Sequence, residues 1–319
     1  MTGSPPRVVV IGGANMDLKC RIAGATVMGS SNPGRMEATA GGVARNIAEA
    51  LARLGVPTDL ISAIGRDAFG DRLLAETTAA GVGTRHVLRG AAPTGTYTAT
   101  LDRRGELVVG VAAMEVLTAL TPRLLARCAE ALGAAALIVA DGNLSTAALD
   151  WLLGFAAEHR RRLAIEAVSV PKAAALGRLL AAKRPLYALF CNSAEAEALV
   201  GSARPRNLRA GAQQLHERGV GHVGIGLGGR GMLASSLEDG RLLQRIVPAV
   251  AGPLRDVTGA GDAAVAGTIY GLLRDRPLAD AARFGQVAAA LTRASPLSVS
   301  PRLSARALER RVRASLRPG

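Results

Sequence analysis

Aromatic residues make up only 3% of this 319-residue chain, with a single tryptophan, Trp151, that reads as packing. The arginines are dispersed rather than interleaved with rings, which argues against a stacking platform for nucleic acid. Cysteine is scarce as well. Cys20, Cys128 and Cys191 lack close metal-ligand spacing and are odd in number, so no disulfide framework is indicated and reduced thiols in a cytoplasmic setting are expected. None of the four histidines has a convincing catalytic partner: His86 and His159 are isolated, while His216 and His222 flank a glycine-containing turn and read as solvated or structural. The apolar stretch 132–140 is too short for a membrane span, and the first residues lack a secretory pattern. Acidic residues are outnumbered 25 to 39. The resulting formal charge of +14 suits attraction of nucleotides or other polyanions.

What is present is a chain able to build a large core, since 49% of it is hydrophobic. Strands are expected at 8–11, 59–64, 136–140, 163–167, 186–190 and 223–227, with Ala- and Leu-rich helical segments between them. That alternation predicts an α/β architecture. No repeat or long linker divides it, so one large domain with a small insertion is expected.

The sequence Asp256-Val257-Thr258-Gly259-Ala260-Gly261-Asp262 runs into the apolar segment Ala263, Ala264, Val265, Ala266, Ile269, Leu272, Leu273. A turn of small residues entering a helix leaves backbone N–H groups free to receive an anion, and Asp262 falls in the first helical turn beside them. The pattern suits transfer of a phosphoryl group to an alcohol held against Asp262, although Asp262 could equally serve as a helix cap. A second helix is expected from Gly41-Gly42-Val43-Ala44-Arg45-Asn46 onwards, with apolar residues at 43, 47, 51 and 54 and Gly55 closing it.

Together these two segments resemble the two signature regions of the ribokinase-like (PfkB) carbohydrate and nucleoside kinase family, and the resemblance extends over almost the whole chain. It implies a ribokinase-like three-layer α/β/α domain, formed by 7–17, 39–92 and 114–316, with a small β-sheet lid from 18–38 and 93–113. It also implies ATP-dependent phosphorylation of a primary alcohol, with Asp262 as base and the amides of Gly259, Ala260 and Gly261 as anion hole. Gly12-Gly13-Ala14-Asn15-Met16-Asp17, Ser31-Asn32-Pro33-Gly34 and 41–46 are most similar to the pseudouridine kinase subgroup, which implies the 5′-hydroxyl of that nucleoside as acceptor.

Asn15 and Asp17 follow an apolar strand and suit vicinal sugar hydroxyls, or stabilise the turn. Gly41 and Gly42 would admit a sugar, and Asn46 would contact a hydroxyl or act as internal polar support. Asn32 either reads a uracil-like edge or orients its loop. Asn192-Ser193-Ala194-Glu195 is similar to the family's magnesium-associated element, acting through water, while a helix cap is the competing reading. Gly226, Gly228 and Gly231 are similar to the nucleotide loop, and Thr258, Gly259 and Gly261 join them around ATP. The turn at 293–296 is similar to a monovalent-cation (K+) loop. A homodimer through the lid is implied too.

Four positions depart from the subgroup pattern: Ala113, Glu166, Phe190 and Ser300. They leave open another ribokinase-like nucleoside or sugar kinase and, from a different class, a catalytically weak nucleotide- or nucleic-acid-binding protein.

Overall fold

The computed structural model describes residues 6–201 and 207–315; the expected domain end at 316 lies outside them. The unbroken β-branched run of β1 (Val8–Ile11) explains the architecture in miniature. Its four side chains are fully buried, yet Val8 and Val10 join one hydrophobic core while Val9 and Ile11 join another. Because successive strand residues point to opposite faces, a strand apolar at every position must be covered on both sides. The result is a three-layer α/β/α fold.

Around β1 lie β4 (Thr58–Ile64), β5 (Gly83–Arg89), β8 (Leu137–Asp141), β9 (Leu163–Glu166), β10 (Leu186–Asn192) and β11 (Val220–Gly226), all parallel. The antiparallel strands β12 (Met232–Glu238) and β13 (Arg241–Val247) complete a nine-stranded sheet ordered β13-β12-β11-β10-β9-β8-β1-β4-β5. A second sheet, ordered β3-β2-β6-β7, contains β2 (Asn15–Ile22), β3 (Gly34–Gly41), β6 (Thr96–Leu101) and β7 (Leu107–Ala113).

All six strands expected in the large sheet are present, with ends shifted by up to three residues. The edge strand β5, with its Arg85 and His86, escaped the reading because it lacks a continuous apolar run. So did β12 and β13: β13 shows Leu242, Leu243 and Ile246 to solvent and has no buried face to impose alternation.

Parallel strands place their carboxyl ends along one rim. The chain reverses its direction of sheet growth at β1, flanked by β4 on one side and β8 on the other, which opens a crevice at that rim. Gly12, Asp141, Glu166, Asn192 and Gly226 stand on or just beyond it. The helix Val43–Arg53 crosses beneath with Ile47 and Leu51 fully buried, each contributing roughly 1.5–3 kcal/mol. It packs against the helix Ala260–Leu272, and this contact joins the two ends of the sequence. Among the described residues no helix is long and apolar enough to cross a membrane.

Candidate active site

Asp262 lies in the first turn of the helix Ala260–Leu272, headed by Gly259 in the left-handed conformation at φ 73°. Only glycine fits there, because a Cβ would sit 1.8 Å from the Ser298 carbonyl oxygen. Asn46 Nδ2 donates to Asp262 Oδ2 at 2.8 Å across 216 positions of sequence. Burial pushes the Asp262 carboxyl up to about 7, with the charges of Asp141 and Asp17 adding to the rise and the Asn46 bond opposing it. A carboxylate near neutrality is suited to taking a proton from an alcohol.

The polar residues after β1 gather beside it. Asn15 Nδ2 donates to Asp17 Oδ1 at 2.7 Å, and both residues are buried. Gly41 stands opposite Asn15 in the β2–β3 pairing, and a Cβ on Gly41 would come within 2.2 Å of Asp17 Oδ2. Gly42, at φ 98°, caps the helix that carries Asn46; a Cβ there would strike the Gly13 carbonyl oxygen at 2.4 Å. Asn15, Asp17, Gly41, Gly42, Asn46 and Asp262 are therefore brought together. Asn32 is not part of this group. Its Oδ1 accepts from Val27 N and its Nδ2 donates to the carbonyls of Val27 and Ser30, so its side chain orients the loop.

Two cavities share the segment leading to Asp262. One of about 250 Å³ is lined by Gly226, Gly228, Gly231, Ala260 and Gly261. A Cβ on Gly228 or Gly261 would meet nothing within 4 Å, so these backbones face open space that a ligand can approach. Gly231 is different: at φ 103° its Cβ would lie 2.0 Å from the Val247 carbonyl oxygen, so it is required by the chain's own packing. The second cavity, about 710 Å³, is bordered by the small sheet at Lys19 and Tyr97 and by Asp256, Val257 and Thr258. Lys19 bonds to Asp256 and donates to Thr258 Oγ1 at 2.9 Å, fastening the small sheet to the turn. Thr258 N donates in turn to Asp256 Oδ1.

Asn192 and Glu195 form a capping box on the helix Ser193–Val200. Glu195 N donates to Asn192 Oδ1 at 3.0 Å, while Asn192 N and Nδ2 donate to the Glu195 carboxylate at 2.9 and 2.7 Å. Burial nevertheless raises the Glu195 carboxyl. Glu166 adds a further buried carboxyl at this rim. Its Oε2 is buried without a hydrogen-bond partner, and burial together with the charges of Asp262, Glu195 and Asp141 drives its carboxyl well above the ordinary range. An unpartnered carboxylate oxygen among like charges can accept from the water shell of a cation, while among the described residues no three acidic, His or Cys side chains are gathered closely enough to hold a bare ion.

Sequence reasoning missed Asp141 altogether. Fully buried at the end of β8, it accepts from Gly13 N at 2.8 Å, Ala44 N at 3.0 Å and Asn143 N at 2.9 Å, which ties the loop after β1 and the first turn of the helix Val43–Arg53 to the end of β8. Lys19 was missed too, although the two-residue period of a strand places it on the face of Asp17. Of the departures, Phe190 packs against Gly224, where a Cβ would lie 2.7 Å from its ring. Ser300 Oγ accepts from Arg302 N within a turn, and Ala113 ends the exposed strand β7.

The sequence profile of the pfkB family carbohydrate kinases matches residues 5–305. The chain belongs to that family. It is 35% identical over 302 residues to the uncharacterized sugar kinase YeiI of Escherichia coli, covering 93% of this chain and 81% of that one. It is 32% identical over 306 residues to the pseudouridine kinase of the same organism, covering 93% of each. A solved carbohydrate kinase from Agrobacterium tumefaciens superposes with a TM-score of 0.81 at 32% identity, covering 96% of this chain and 97% of that one. Its activity class is accordingly that of the pfkB family: ATP-dependent phosphotransfer to a hydroxyl of a sugar or nucleoside.

Proposed function

We propose that this kinase transfers the γ-phosphoryl group of ATP to the 5′-hydroxyl of pseudouridine, with Asp262 as the base. The observation that carries the chemistry is the position of Asp262: held by Asn46, raised towards neutrality, and set at the head of a turn whose small residues border both cavities. The pseudouridine kinase likeness, which spans 93% of both chains, supports the acceptor. Another sugar kinase is the second reading, favoured by the likeness to an uncharacterized sugar kinase at 35% identity over 93% of this chain.

In this reading Asn15, Asp17, Gly42 and Asn46 hold the ribose. Asp262 orients the 5′-hydroxyl and accepts its proton as the oxygen forms a bond to the γ-phosphorus. The bond from that phosphorus to the bridging oxygen breaks, and ADP leaves with the electron pair. Backbone N–H groups of Gly259 and Gly261 at the helix N-terminus stabilise the phosphoryl oxygens, joined by that of Ala260 once it leaves the Val257 carbonyl, to which it donates at 3.2 Å. Asn192, Glu195 and the unpartnered Glu166 Oε2 would hold magnesium, largely through water, and the ion would offset phosphate charge. Gly226 and Gly228 would line the nucleotide with Thr258 nearby, while Gly231 shapes the loop.

The remainder of the reading assigns 7–17, 39–92 and 114–316 to the kinase body and 18–38 with 93–113 to a lid. Asn32 shapes the lid loop. A homodimer through the lid would cover the exposed edge strand β7 with its Leu107, Val109 and Val111. A potassium ion would sit by the turn at 293–296, which contains the buried Ser295. The three free cysteines suit a cytoplasmic setting. Product-resolved turnover with ATP, magnesium and potassium across pseudouridine, uridine, adenosine and ribose tests the assignment. Selective formation of pseudouridine 5′-phosphate is expected; preference for ribose would replace the acceptor, and absence of turnover across the panel would overturn the reading.

A further inference from the structure

Arg45 and Glu49 lie one turn apart on the helix Val43–Arg53, and each residue is only 4% exposed. Their side chains form an ion pair, and Arg53 Nε adds a second cation to Glu49 at 2.7 Å. Removing two charges from water is unfavourable, and a packed apolar pair of similar volume commonly serves stability as well or better. Stability alone therefore gives no reason for this pair on a helix that buries Ile47 and Leu51.

The guanidinium has another partner. Arg45 Nη1 donates to Asn46 Oδ1 at 3.2 Å and to the Ala40 carbonyl at 3.3 Å, and Nε donates to Thr77 Oγ1 at 3.4 Å. A primary amide has an accepting end and a donating end, whereas a guanidinium only donates. Arg45 therefore requires Asn46 to turn its oxygen inwards, which leaves Nδ2 facing Asp262 Oδ2 at 2.8 Å. The reversed amide would set N–H against N–H at Arg45 and oxygen against oxygen at Asp262. Glu49, itself bonded to Arg53, and Thr77 on the neighbouring helix Ala68–Ala79 hold the guanidinium in place.

We infer that Arg45 is a positioning residue, which fixes the orientation of the Asn46 amide and through it the hydrogen bond that holds Asp262 in the cleft. Glu49 anchors Arg45, so a line of contacts runs from the buried ion pair to the reacting hydroxyl. The inference rests on Asp262 acting as the base.

Arg45→Met leaves Glu49 paired with Arg53, and Arg45→Met/Glu49→Leu replaces the ion pair with apolar packing. Thermal unfolding of both reports the fold. A purely structural role would be restored in the double variant; the positioning role would not. We expect kcat to fall about tenfold in both, the scale of one lost hydrogen bond, with KM for ATP within about twofold of the wild type. In an Asn46→Ala background the further change Arg45→Met should alter kcat less than about twofold, because its effect passes through the missing amide. Arg45→Lys keeps the charge and a donor, preserves the fold, and should recover most of the rate. Full kcat in Arg45→Met/Glu49→Leu, or multiplying losses in the Asn46→Ala background, would overturn the inference. Wild-type turnover in Asp262→Ala would instead remove the base assignment, so the two failures are distinguishable.

Discussion

Replacing Asp262 by asparagine should stabilise the protein while abolishing its proposed chemistry, and the gain should depend on pH. Moving a carboxyl from 3.8 to about 7 corresponds to about 4 kcal/mol at 1.36 kcal/mol per tenfold change in affinity. Asp262 is half-buried rather than sealed, so screening brings the expected value to roughly 2–4 kcal/mol. The sign follows from proton binding. The folded chain holds this proton more tightly than the unfolded chain, so the charge penalty is absent below pH 3.8, grows as pH rises, and is complete above about 7. Asparagine keeps the shape and never carries the charge. Urea unfolding of both proteins at pH 5 and pH 8 isolates the difference, with Asp262→Asn favoured more strongly at pH 8. A gain equal at the two pH values, or no gain at pH 8, would refute the reasoning.

The two glycines of the turn should separate fold from ligand. Gly259→Ala would force a Cβ to within 1.8 Å of the Ser298 carbonyl at a positive φ, so thermal unfolding should register a loss of roughly 2–4 kcal/mol; a loss below about 0.5 would contradict the geometry. Gly261→Ala meets nothing within 4 Å, so its stability should stay within about 0.5 kcal/mol of wild type, while the methyl facing the smaller cavity should raise KM for ATP about tenfold; unchanged KM would remove Gly261 from the nucleotide wall. Val168, beside Glu166, is β-branched at φ 69°, so Val168→Asn should relieve strain and raise the urea-unfolding free energy by about 1 kcal/mol. A decrease would mean that its packing outweighs the strain.

The strands of the large sheet's centre were legible because a strand buried on both faces must be written in Val, Ile, Leu and Ala, as 8–11 and 137–140 are. The place of Asp262 in a first helical turn was legible for a local reason, since small residues before an apolar run mark a helix start; the same pattern also suited a cap, and the structure puts Gly259 at that position instead. The capping of Ser193–Val200 by Asn192 was legible in the same way, since the residues concerned are three apart. Illegible were the contacts closed only by folding. Lys19 reaches Asp256 across 237 positions, and Asp141 reaches Gly13 across 128; a lone Lys or Asp carries no periodic signal for either. Arg45 was hidden differently, because an arginine within a helix normally faces water, and only its contacts with Ala40 on β3 and Thr77 on the helix Ala68–Ala79 reveal it as buried. Glu166 was visible as a departure, but its burial without a partner and the three carboxylates that raise it, Asp141 at the end of β8 and Glu195 and Asp262 on two helices, are set only by the fold.

ADP release with pseudouridine, magnesium and saturating ATP, measured side by side for the wild type and Asp262→Ala, tests the central claim most directly, with ATP binding and thermal unfolding followed on the same samples. Loss of a general base predicts a fall in kcat of about 10²–10⁴ with ATP binding and fold retained. Turnover by Asp262→Ala within about tenfold of the wild type would contradict the assignment of Asp262 and the mechanism built on it.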